Sequence, residues 1–599
     1  MAAADQETHA SAVRPRSYQD ESYLHGFLGT VSDLQKAGVL QDVILEVEGR
    51  RFPCHRLVLS AASPYFRAMF TNDMAESRQK TVVLQGLDAG IFWEILSYIY
   101  SGTLHVSLDK VQPLYQAADL LQLDNVKDTC SSYMAMNVER STCVDLYKFA
   151  DVFSVDSVLK ASLLLISSDF TEVASSDEFC SLSVNQLTEI ISHDELDVKE
   201  ETTVWEAVVR WVQHSREDRL HHLPDIIPHI RFNLLTSDET TAIWKHPLVR
   251  KDPGSSEVIR NVVQKGNPDS RPRLGMTTEM ALLSRIKSDE LLFMNPREGK
   301  YISCSYDPGD IPEVTAMTVT SDNNIYILTD EKELESNGKL SVFRYNHTEN
   351  VWEPAGMSSV SGFKLSEDPS ILASHEHYLV EVEKQTLCYL VVEGKVDSTL
   401  VQIKKYNRHT DQWQECPQLQ VDGTSYIHLS APLFCDSHLY FLANTEVHRF
   451  DPSQNQWHKR TPLMTIPEVC TAVAMGTEIF CTDFHFTQTM VYDTVTGNWQ
   501  ELQGWSNRGN LDMDVRPSFF LLENKLHVLL GVYDTVKQGP LTDYLIYVYD
   551  RSADAWKDLK ATLPSKRYIA CRPRCPVARM YLPYLKGAQK HITSYGFQH

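Results

Sequence analysis

The residues of this chain that could support catalysis or hold a metal ion are its histidines and cysteines. Four histidines cluster between positions 214 and 229, among which His222 and His229 lie a heptad apart, but no cysteine or carboxylate completes a ligand set. The twelve cysteines are scattered without a CxxC pair, and the closest two are Cys571 and Cys575. We find no nucleophile elbow, phosphate-binding loop, dinucleotide fingerprint or zinc-protease motif. The sequence therefore predicts no catalytic residue, no metal and no cofactor, and the function must lie in binding.

The overall composition limits the classes of protein to which the chain can belong. Its 599 residues are too many for one hydrophobic core, and 43% hydrophobic with 23% charged residues are ordinary values for a globular protein. A net charge of −23 would repel the phosphates of nucleic acids and anionic membranes, and we interpret the one basic cluster, Arg567–Arg579, as solvated surface. No apolar run approaches the roughly 18 residues of a membrane span, and the polar segment Met1–Arg16 lacks a signal-peptide core. We therefore expect a cytoplasmic protein, with a nuclear location as the alternative, that binds neither nucleic acid nor membrane.

The hydrophobic pattern divides the chain into two halves. Residues 20–250 carry helical periodicity with one strand-rich patch, whereas residues 275–580 carry short strands and turns. Residues 251–273 are predicted to be a linker, because Asp-Pro-Gly, Asn-Pro and Arg-Pro-Arg interrupt both kinds of element. An apolar stripe at helical spacing opens the first half and needs a surface to bury it: Leu24, Phe27, Leu28, Val31 and Leu34.

Three segments of the first half resemble a known domain. The sequence DVILEVEGRRFPCHRLVLSAASPYFRAMFTNDMAES, residues 42–77, is similar to the signature of a BTB/POZ domain. YIYSGTL, residues 98–104, and LYQAADLLQLDNVKDTC, residues 114–130, extend the resemblance. It implies an α/β BTB domain at residues 20–135, preceded by a disordered tail at residues 1–19.

The following segments are a run of amphipathic helices and resemble the BACK domain that follows BTB in this family. They include NVERSTCVDLYKFADVFS, residues 137–154, and LPDIIPHIRFNLL, residues 223–235. We interpret their apolar stripes as helix–helix core: Leu187, Ile190 and Ile191 on one helix, and Val204, Val208, Trp211 and Val212 on another. The resemblance implies an all-α BACK domain at residues 136–250.

The second half contains an internal repeat. An aromatic residue and a tryptophan recur seven residues apart around a polar turn, in the pairs Tyr345/Trp352, Tyr406/Trp413, Phe450/Trp457, Tyr492/Trp499 and Tyr549/Trp556. The aromatic residue is expected to end one strand and the tryptophan to begin the antiparallel return strand. A repeat of roughly 40–50 residues made of short strands is typical of a β-propeller, in which stacked blades bury the faces that one blade cannot. The tryptophans are then predicted to fill the layers between blades.

This repeat resembles the Kelch repeat, although the Kelch glycine doublet is absent from all five copies. Three further strands at residues 279–304 would add a weaker blade, so we favour six blades, with five as the alternative. The fold prediction is therefore multidomain: BTB, BACK and an all-β Kelch-type propeller at residues 274–586, followed by a tail at residues 587–599. The order of domains is similar to that of the Kelch repeat and BTB domain-containing subgroup.

The resemblance implies a non-catalytic substrate adaptor of a cullin-3 RING ubiquitin ligase. In that scheme the BTB domain forms a homodimer through the Leu24–Leu34 helix and binds cullin-3, while the propeller captures a protein substrate whose identity is unknown. The cullin contact of the family contains an apolar residue, any residue and then Glu, which Met74-Ala75-Glu76 matches, with Phe70 as a flanking residue. The candidate substrate loops are residues 358–370 and 504–515, where the repeat is longest.

Three other functions remain as alternatives. A dimer with two propellers would suit a cytoskeletal scaffold that crosslinks actin filaments. A transcriptional regulator is disfavoured by the lack of zinc-finger spacing and by the charge of −23. An enzyme on the propeller would require a catalytic or copper-binding set that the sequence does not supply.

Overall fold

The computed structural model describes most of the chain and divides it into two compact units, Met1–Arg273 and Leu274–His599. No helix among the described residues is long and apolar enough to cross a membrane. The residues that the structure describes are 23–72, 75–265, 271–285, 290–306, 314–330, 339–363, 375–382, 386–394, 398–422, 430–436, 438–443, 446–460, 469–503, 513–534, 543–570 and 575–585. The predicted N-terminal and C-terminal tails lie outside them.

The first unit begins with a small sheet packed against helices. The elements are α1 (Tyr23–Lys36), β1 (Val43–Val47), β2 (Arg50–Cys54), α2 (Arg56–Ala62), α3 (Pro64–Thr71), β3 (Thr81–Leu84), α4 (Ala89–Ser101), α5 (Val111–Leu120) and α6 (Asp124–Met136). The strand order is β2-β1-β3, with β2 antiparallel and β3 parallel to β1. Glu48 and Gly49 both adopt positive φ, which is the two-residue hairpin turn that matches the twist of the strands. Alternate residues of β1 are buried, as a half-covered sheet requires.

The rest of the first unit is helical, as the sequence predicts for the BACK region. Its helices are α7 (Cys143–Phe153), α8 (Asp156–Ser168), α9 (Phe170–Ala174), α10 (Val184–Ser192), α11 (Glu201–His214), α12 (Arg216–Arg219), α13 (Leu223–Ile226), α14 (Ser237–Lys245), α15 (Pro247–Lys251) and α16 (Pro253–Lys265). The two predicted apolar stripes, on α10 and α11, are buried in full. A capping box formed by Ser183 and Gln186 begins α10 and satisfies two helix N-terminal groups.

The segment at residues 251–273 differs from the predicted linker. Most of it is helix α16, which packs against α13 and α15 and buries Ile259. Pro253 is compatible with this helix because it occupies the first turn, where its missing N–H would have no intrahelical partner. Arg273 is also buried within the first unit. The division between the units falls after Arg273, where the propeller was predicted to begin.

The second unit consists of antiparallel sheets, which confirms the predicted all-β region. We name them sheets I to VI. Sheet I contains β4 (Thr278–Arg285), β5 (Glu290–Asn295), β6 (Lys300–Ser305), β29 (Tyr568–Ala570) and β30 (Val577–Met580); sheet II contains β7 (Val314–Val319), β8 (Ile325–Asp330), β9 (Lys339–Asn346), β10 (Val351–Pro354) and β11 (Val360–Ser361); and sheet III contains β12 (His375–Val382), β13 (Thr386–Gly394), β14 (Ser398–Asn407), β15 (Gln412–Glu415) and β16 (Leu419–Asp422). Sheet IV contains β17 (Ser430–Cys435), β18 (His438–Ala443), β19 (Glu446–Asp451) and β20 (Gln456–Arg460); sheet V contains β21 (Val469–Met475), β22 (Glu478–Asp483), β23 (Thr489–Asp493) and β24 (Trp499–Leu502); and sheet VI contains β25 (Met513–Leu522), β26 (Lys525–Asp534), β27 (Asp543–Asp550) and β28 (Ala555–Asp558). A short helix, α17 (Leu582–Leu585), follows β30.

Apolar clusters between neighbouring sheets hold the second unit together. Each cluster combines buried residues of two sheets, and together the clusters join I to II, II to III, III to IV, IV to V, V to VI and VI to I. In sheet I the C-terminal strands β29 and β30 both pair with β4 from the start of the unit. The described strands of this unit thus form six sheets, and the number of blades stays a prediction.

The repeated aromatic pairs are cross-strand neighbours, as predicted. In sheets II to VI each tryptophan lies directly opposite its Tyr or Phe, with ring centroids 4.8–5.3 Å apart. Each tryptophan also packs on the apolar cluster that joins its sheet to the preceding one. The repeated pair therefore closes a hairpin within one sheet and contacts a second sheet.

The tryptophans reach different depths in the layers between sheets, which corrects the prediction that all of them fill these layers. Trp352 alone is buried, with 6% of its surface exposed, and its ring lies 5.3 Å from Tyr345 and 6.2 Å from Tyr306 between centroids. The tryptophans of sheets III to VI are only half-buried: Trp413, Trp457, Trp499 and Trp556. Trp556, for example, stacks on Phe519 with centroids 5.9 Å apart and covers the edge of the cluster between sheets V and VI.

The indole N–H groups add hydrogen bonds between successive sheets. In three cases the N–H donates to a backbone carbonyl just after the outermost strand of the preceding sheet: Trp413 to Ser358 at 2.9 Å, Trp457 to Pro417 at 2.9 Å and Trp556 to Gln503 at 3.2 Å. Trp352 differs from these three, because its buried N–H has no acceptor among the residues that the structure describes. The corresponding connection after β6, residues 307–313, lies outside those residues. The prediction of a single role for all five tryptophans thus holds for their packing but not for their burial or hydrogen bonding.

Candidate functional site

The predicted cullin contact falls on a short 3₁₀ turn, Ala75–Arg78, that follows helix α3. Glu76 is half-buried in this turn, and its negative charge adds to burial in raising the pKa of Tyr65. Phe70 packs against the BTB core and stacks on Phe66, with ring centroids 6.1 Å apart. Met74 lies outside the described residues. The structure thus places Glu76 and Phe70 on adjoining elements at one end of α3.

Arg56 holds this turn against the domain, and it was missed by the sequence analysis. Its guanidinium lies 5.0 Å from the centroid of the Phe70 ring. The same group donates to the Ser77 carbonyl and, at 2.5 Å, to the Gln79 carbonyl. Only the planar guanidinium can stack on a ring and donate to two carbonyls at once, so lysine is not an equivalent residue here. A single sequence gives no signal for this role, because all three partners are distant in the chain.

Helix α1 carries the predicted dimer stripe, and the stripe is only partly covered within one subunit. Val31 packs against the BTB core, and Leu28 and Leu34 are half-buried. Phe27, in contrast, is 53% exposed. Leu24 lies within the helix, but its side chain is outside the described part of the structure. The role of this helix in a homodimer stays a prediction.

A buried ion pair fixes the last residue of the first unit. Arg273 and Glu201 both have fully buried side chains, and the guanidinium donates to both carboxylate oxygens at 2.6 and 2.7 Å. Arg273 also donates to the carbonyls of Ile191 and His193, at 2.7 and 3.0 Å. The Arg231 backbone N–H donates to the same carboxylate at 2.9 Å. The pair therefore ties the end of the unit to α10 and α11, and nothing in the sequence around Arg-Pro-Arg predicted it.

The histidine cluster of the first unit is not arranged as a metal site. In the described residues, no group of three or more His, Cys, Asp or Glu side chains is placed to hold a metal ion. His229 instead forms a hydrogen bond of 2.7 Å with the Ser192 hydroxyl. Burial, and then the nearby Arg273 charge, lowers the pKa of His229.

The polar turns between the paired aromatic residues share a construction that the sequence analysis also missed. The residue after each aromatic is Asn or Asp, and its side chain accepts backbone N–H groups two and three residues later: Asn346, Asn407, Asp451, Asp493 and Asp550. The residue four positions later has positive φ: Asn350, Asp411, Asn455, Gly497 and Asp554. These residue types form such turns and tolerate such a conformation best. The spacing was visible in the sequence as a repeated Asn/Asp pattern.

The antiparallel order gives sheets II to VI two different ends. At the short-turn end lie the connections between first and second strands and the aromatic turns between third and fourth strands. At the long-connection end lie the connections between second and third strands and those between successive sheets. Three of these connections lie outside the described residues: residues 461–468 and 504–512 between successive sheets, and residues 535–542 between β26 and β27. The sequence analysis selected residues 504–515 because the repeat from Trp499 to Trp556 is long, whereas the connection at residues 535–542 contributes to that length as well.

The two predicted substrate loops have different outcomes. Ser358 belongs to the packing between sheets, since its N–H and hydroxyl donate to the Asp411 side chain and carbonyl at 2.9 and 2.7 Å. It contacts the aromatic turn of sheet III and is held by the scaffold. Residues 364–370 and 504–512 of the predicted loops are not among the described residues, and residues 513–515 belong to strand β25. The start of the first loop is therefore structural rather than available for recognition.

Two cavities lie along the inner strands of the second unit. One of about 190 Å³ is lined by residues of β7, β12, β17, β21, β25 and β30, one strand from each sheet. A second, of about 490 Å³, lies at the long-connection end. Charged and polar side chains line it, including His375, Glu376, His377 and Arg516. We call this second cavity the mouth cavity.

Comparison with known proteins agrees with this architecture. The BTB/POZ domain family matches residues 31–138, and the family "BTB And C-terminal Kelch" (BACK) matches residues 143–245. The chain therefore contains a BTB domain and a BACK domain, followed by an all-β region that is consistent with a Kelch propeller.

The full-length similarity places it among particular relatives. It is a homologue of the Kelch repeat and BTB domain-containing proteins. It is 27% identical to human Kelch repeat and BTB domain-containing protein 2 over 86% of this chain and 85% of that protein. It is also 27% identical to Kelch repeat and BTB domain-containing protein 8 of Xenopus tropicalis over 94% of each. A solved structure, the BTB domain of human gigaxonin, covers 20% of this chain and 98% of its own at 28% identity, with a TM-score of 0.19.

Proposed function

We propose that this protein is a non-catalytic substrate adaptor of a cullin-3 RING ubiquitin ligase. The observation that carries the proposal is the joining of a BTB-BACK unit, with Met74-x-Glu76 after α3, to a unit of sheets around a central cavity. In this function the BTB domain forms the homodimer and binds cullin-3, and the second unit captures the substrate. Binding alone accounts for the arrangement, since the adaptor brings a substrate to a ligase that supplies the chemistry.

The proposed contact has a physical basis in the Glu76 turn. Met74 would enter an apolar pocket of cullin-3, and Glu76 would pair at its rim. Arg56 and Phe70 support the proposal, because they fix the turn before binding and so reduce the ordering cost of association.

The test is capture of purified cullin-3 by the full-length protein and by the Met74→Ala/Glu76→Ala variant. The matched control is Met136→Ala/Glu206→Ala, which removes an exposed methionine and an exposed glutamate elsewhere in the first unit. We expect the control to bind as the wild type does and the test variant to bind at least about tenfold more weakly, as for loss of a central interface residue. Absence of binding by the wild type, or equal binding by both variants, would refute the proposal. Co-sedimentation with actin filaments in that case would support the scaffold alternative.

A further inference from the structure

The mouth cavity contains a guanidinium that the fold holds in place without pairing its charge. Arg516, on strand β25, is exposed and lines the cavity. Its guanidinium carbon lies 4.6 Å from the centroid of the Tyr533 ring and 5.5 Å from that of Phe484. Within the described residues no carboxylate forms an ion pair with it and no acceptor forms a hydrogen bond with it. Stacking on the two rings restricts the side chain while leaving its N–H donors available.

The backbone around Arg516 is built to keep this position open. Gly531 is the cross-strand partner of Arg516 and also lines the cavity. A glycine inside a strand weakens the sheet and often marks a place where a ligand approaches closely. Because Gly531 has no side chain, the guanidinium can extend along the strand towards Tyr533, two residues further along.

The loop that carries Phe484 is rigid in its own right. The Asp483 carboxylate accepts the backbone N–H groups of Thr487 and Gln488 at 2.6 and 2.8 Å, and the Thr487 hydroxyl at 2.7 Å. Phe484 is the next residue in the chain and is therefore fixed relative to strand β22. The stacking partner of Arg516 is thus positioned by hydrogen bonds that do not involve a ligand.

The other polar groups of the cavity favour an anion. His375 lines the cavity and can donate a hydrogen bond, as can the hydroxyl of Ser518. The one carboxylate among the lining residues is Glu376, and the Tyr378 hydroxyl already donates to it. A volume of about 490 Å³ admits one or two side chains of a peptide. The chain has a net charge of −23, whereas Arg516, which has no ion pair within the described residues, makes this cavity locally positive.

We infer that the mouth cavity recognises an acidic side chain of a protein substrate, with Arg516 as its charged anchor. This inference rests on the proposed function, which makes the second unit the part that binds substrate. The ligand group is a carboxylate or a phosphate, since both accept two parallel hydrogen bonds from a guanidinium.

The experiment selects peptides from a random heptapeptide phage library on three full-length proteins: the wild type, Arg516→Gln and Arg551→Gln. Arg551 is the matched control, because it is an exposed arginine of the same sheet at the short-turn end. We expect peptides selected on the wild type and on Arg551→Gln to be enriched about threefold or more in Asp and Glu over the library. The enrichment should be lost on Arg516→Gln. Failure to select any peptide on the wild type, a lack of acidic enrichment, or the same acidic peptides on Arg516→Gln would overturn the inference.

A selected peptide then identifies the recognised group. Its dissociation constant, measured by fluorescence anisotropy, should rise about tenfold or more when its acidic residue is changed to glutamine or when Arg516 is changed to glutamine. The two changes together should weaken binding no more than either alone, and additive effects would overturn the inference. A phosphoserine in place of the acidic residue distinguishes a preference for phosphate from one for carboxylate. Cullin-3 capture by Arg516→Gln should equal that of the wild type. Loss of cullin-3 binding by every protein would therefore refute the proposed function without affecting the peptide result.

Discussion

The buried pair of Arg273 and Glu201 allows a quantitative prediction about the stability of the first unit. Both side chains are fully buried, and the guanidinium makes two hydrogen bonds to the carboxylate at 2.6 and 2.7 Å. The Arg273→Met change leaves the Glu201 charge buried without its bidentate partner, although the Arg231 backbone N–H still donates to it and the Arg231 charge is nearby. Removal of one partner of a buried pair typically costs about 3–5 kcal/mol, because the remaining charge has lost its compensation. We expect a loss of about 4 kcal/mol in the free energy of unfolding.

The Glu201→Gln change should cost less, about 3 kcal/mol, for a structural reason. Arg273 would remain buried and charged, but the carbonyls of Ile191 and His193 still accept its N–H groups. The double change Glu201→Gln/Arg273→Met removes both charges of this pair, although it leaves these two carbonyls without the guanidinium. Its expected cost is about 2 kcal/mol, less than that of either single change. The double-mutant cycle should therefore give a coupling energy of roughly 4 kcal/mol or more.

The assay is urea denaturation of the full chain followed by its helical far-ultraviolet ellipticity. In the described residues every helix longer than one turn belongs to the first unit, so this signal reports on that unit. The matched control is the exposed pair Arg140 and Asp169, joined at 2.5 Å, whose coupling energy should be close to zero because solvent screens both charges. Single changes at Arg273 and Glu201 that each cost under about 1 kcal/mol, or a coupling energy equal to that of the control pair, would refute the reasoning.

Three further predictions concern the second unit. Trp457→Ala should lower its free energy of unfolding by about 3 kcal/mol and Trp457→Phe by about 1 kcal/mol, measured by denaturation, because the indole both packs between sheets III and IV and donates to Pro417. Asp493→Ala should lower the urea midpoint of the second unit at neutral pH; because backbone N–H groups and the Thr496 hydroxyl lower the pKa of Asp493, the difference from the wild type should disappear as pH falls below about 4. Burial lowers the pKa of His527 to about 4, so the unfolded chain binds the proton first, and stability should fall by up to about 3 kcal/mol as pH drops from about 6.5 to 4. That part of the pH dependence should be absent from His527→Phe, and an unchanged profile in this variant would contradict the assignment.

The features that sequence reasoning predicted are those with a short-range repeat. The seven-residue spacing of Tyr406 and Trp413 is enough to place them opposite each other, since one turn joins the two strands. The stripes on α10 and α11 are local in the same sense. The residues of each pattern lie within a few positions of one another, so a single sequence is enough to predict them.

The burial of the individual tryptophans could not be predicted from this local spacing. Trp352 and Trp556 occupy the same position of the same motif, yet the first is buried and the second is half-buried. Burial depends on the residues that the neighbouring sheet places against the ring, and these lie outside the motif. The repeat therefore predicts where each tryptophan stands in its hairpin but not how much of it is covered.

Apart from the Asn and Asp turns, the features that sequence reasoning missed depend on partners that are far apart in the chain. Arg273 is separated from Glu201 by 72 residues, and Arg56 from Gln79 by 23. The linker prediction was wrong over most of residues 251–273 because proline and glycine were read as breakers, although Pro253 occupies the first turn of α16, where proline is tolerated. Local composition cannot distinguish a helix-starting proline from a linker proline without the surface on which the helix packs.

The second unit lacks the Kelch glycine doublet, so other contacts must stabilise its sheets. Without the doublet, the sheets still pair in register, and each tryptophan connects its sheet to the preceding apolar cluster. At the short-turn end the aromatic turns are closed by their own Asn and Asp side chains, whose oxygens accept backbone N–H groups of the same turns. Stability is therefore supplied by the layers between sheets and by the short-turn end. At the opposite end Arg516 forms no ion pair within the described residues and stacks on Tyr533 and Phe484 instead, which leaves its N–H donors available to a ligand.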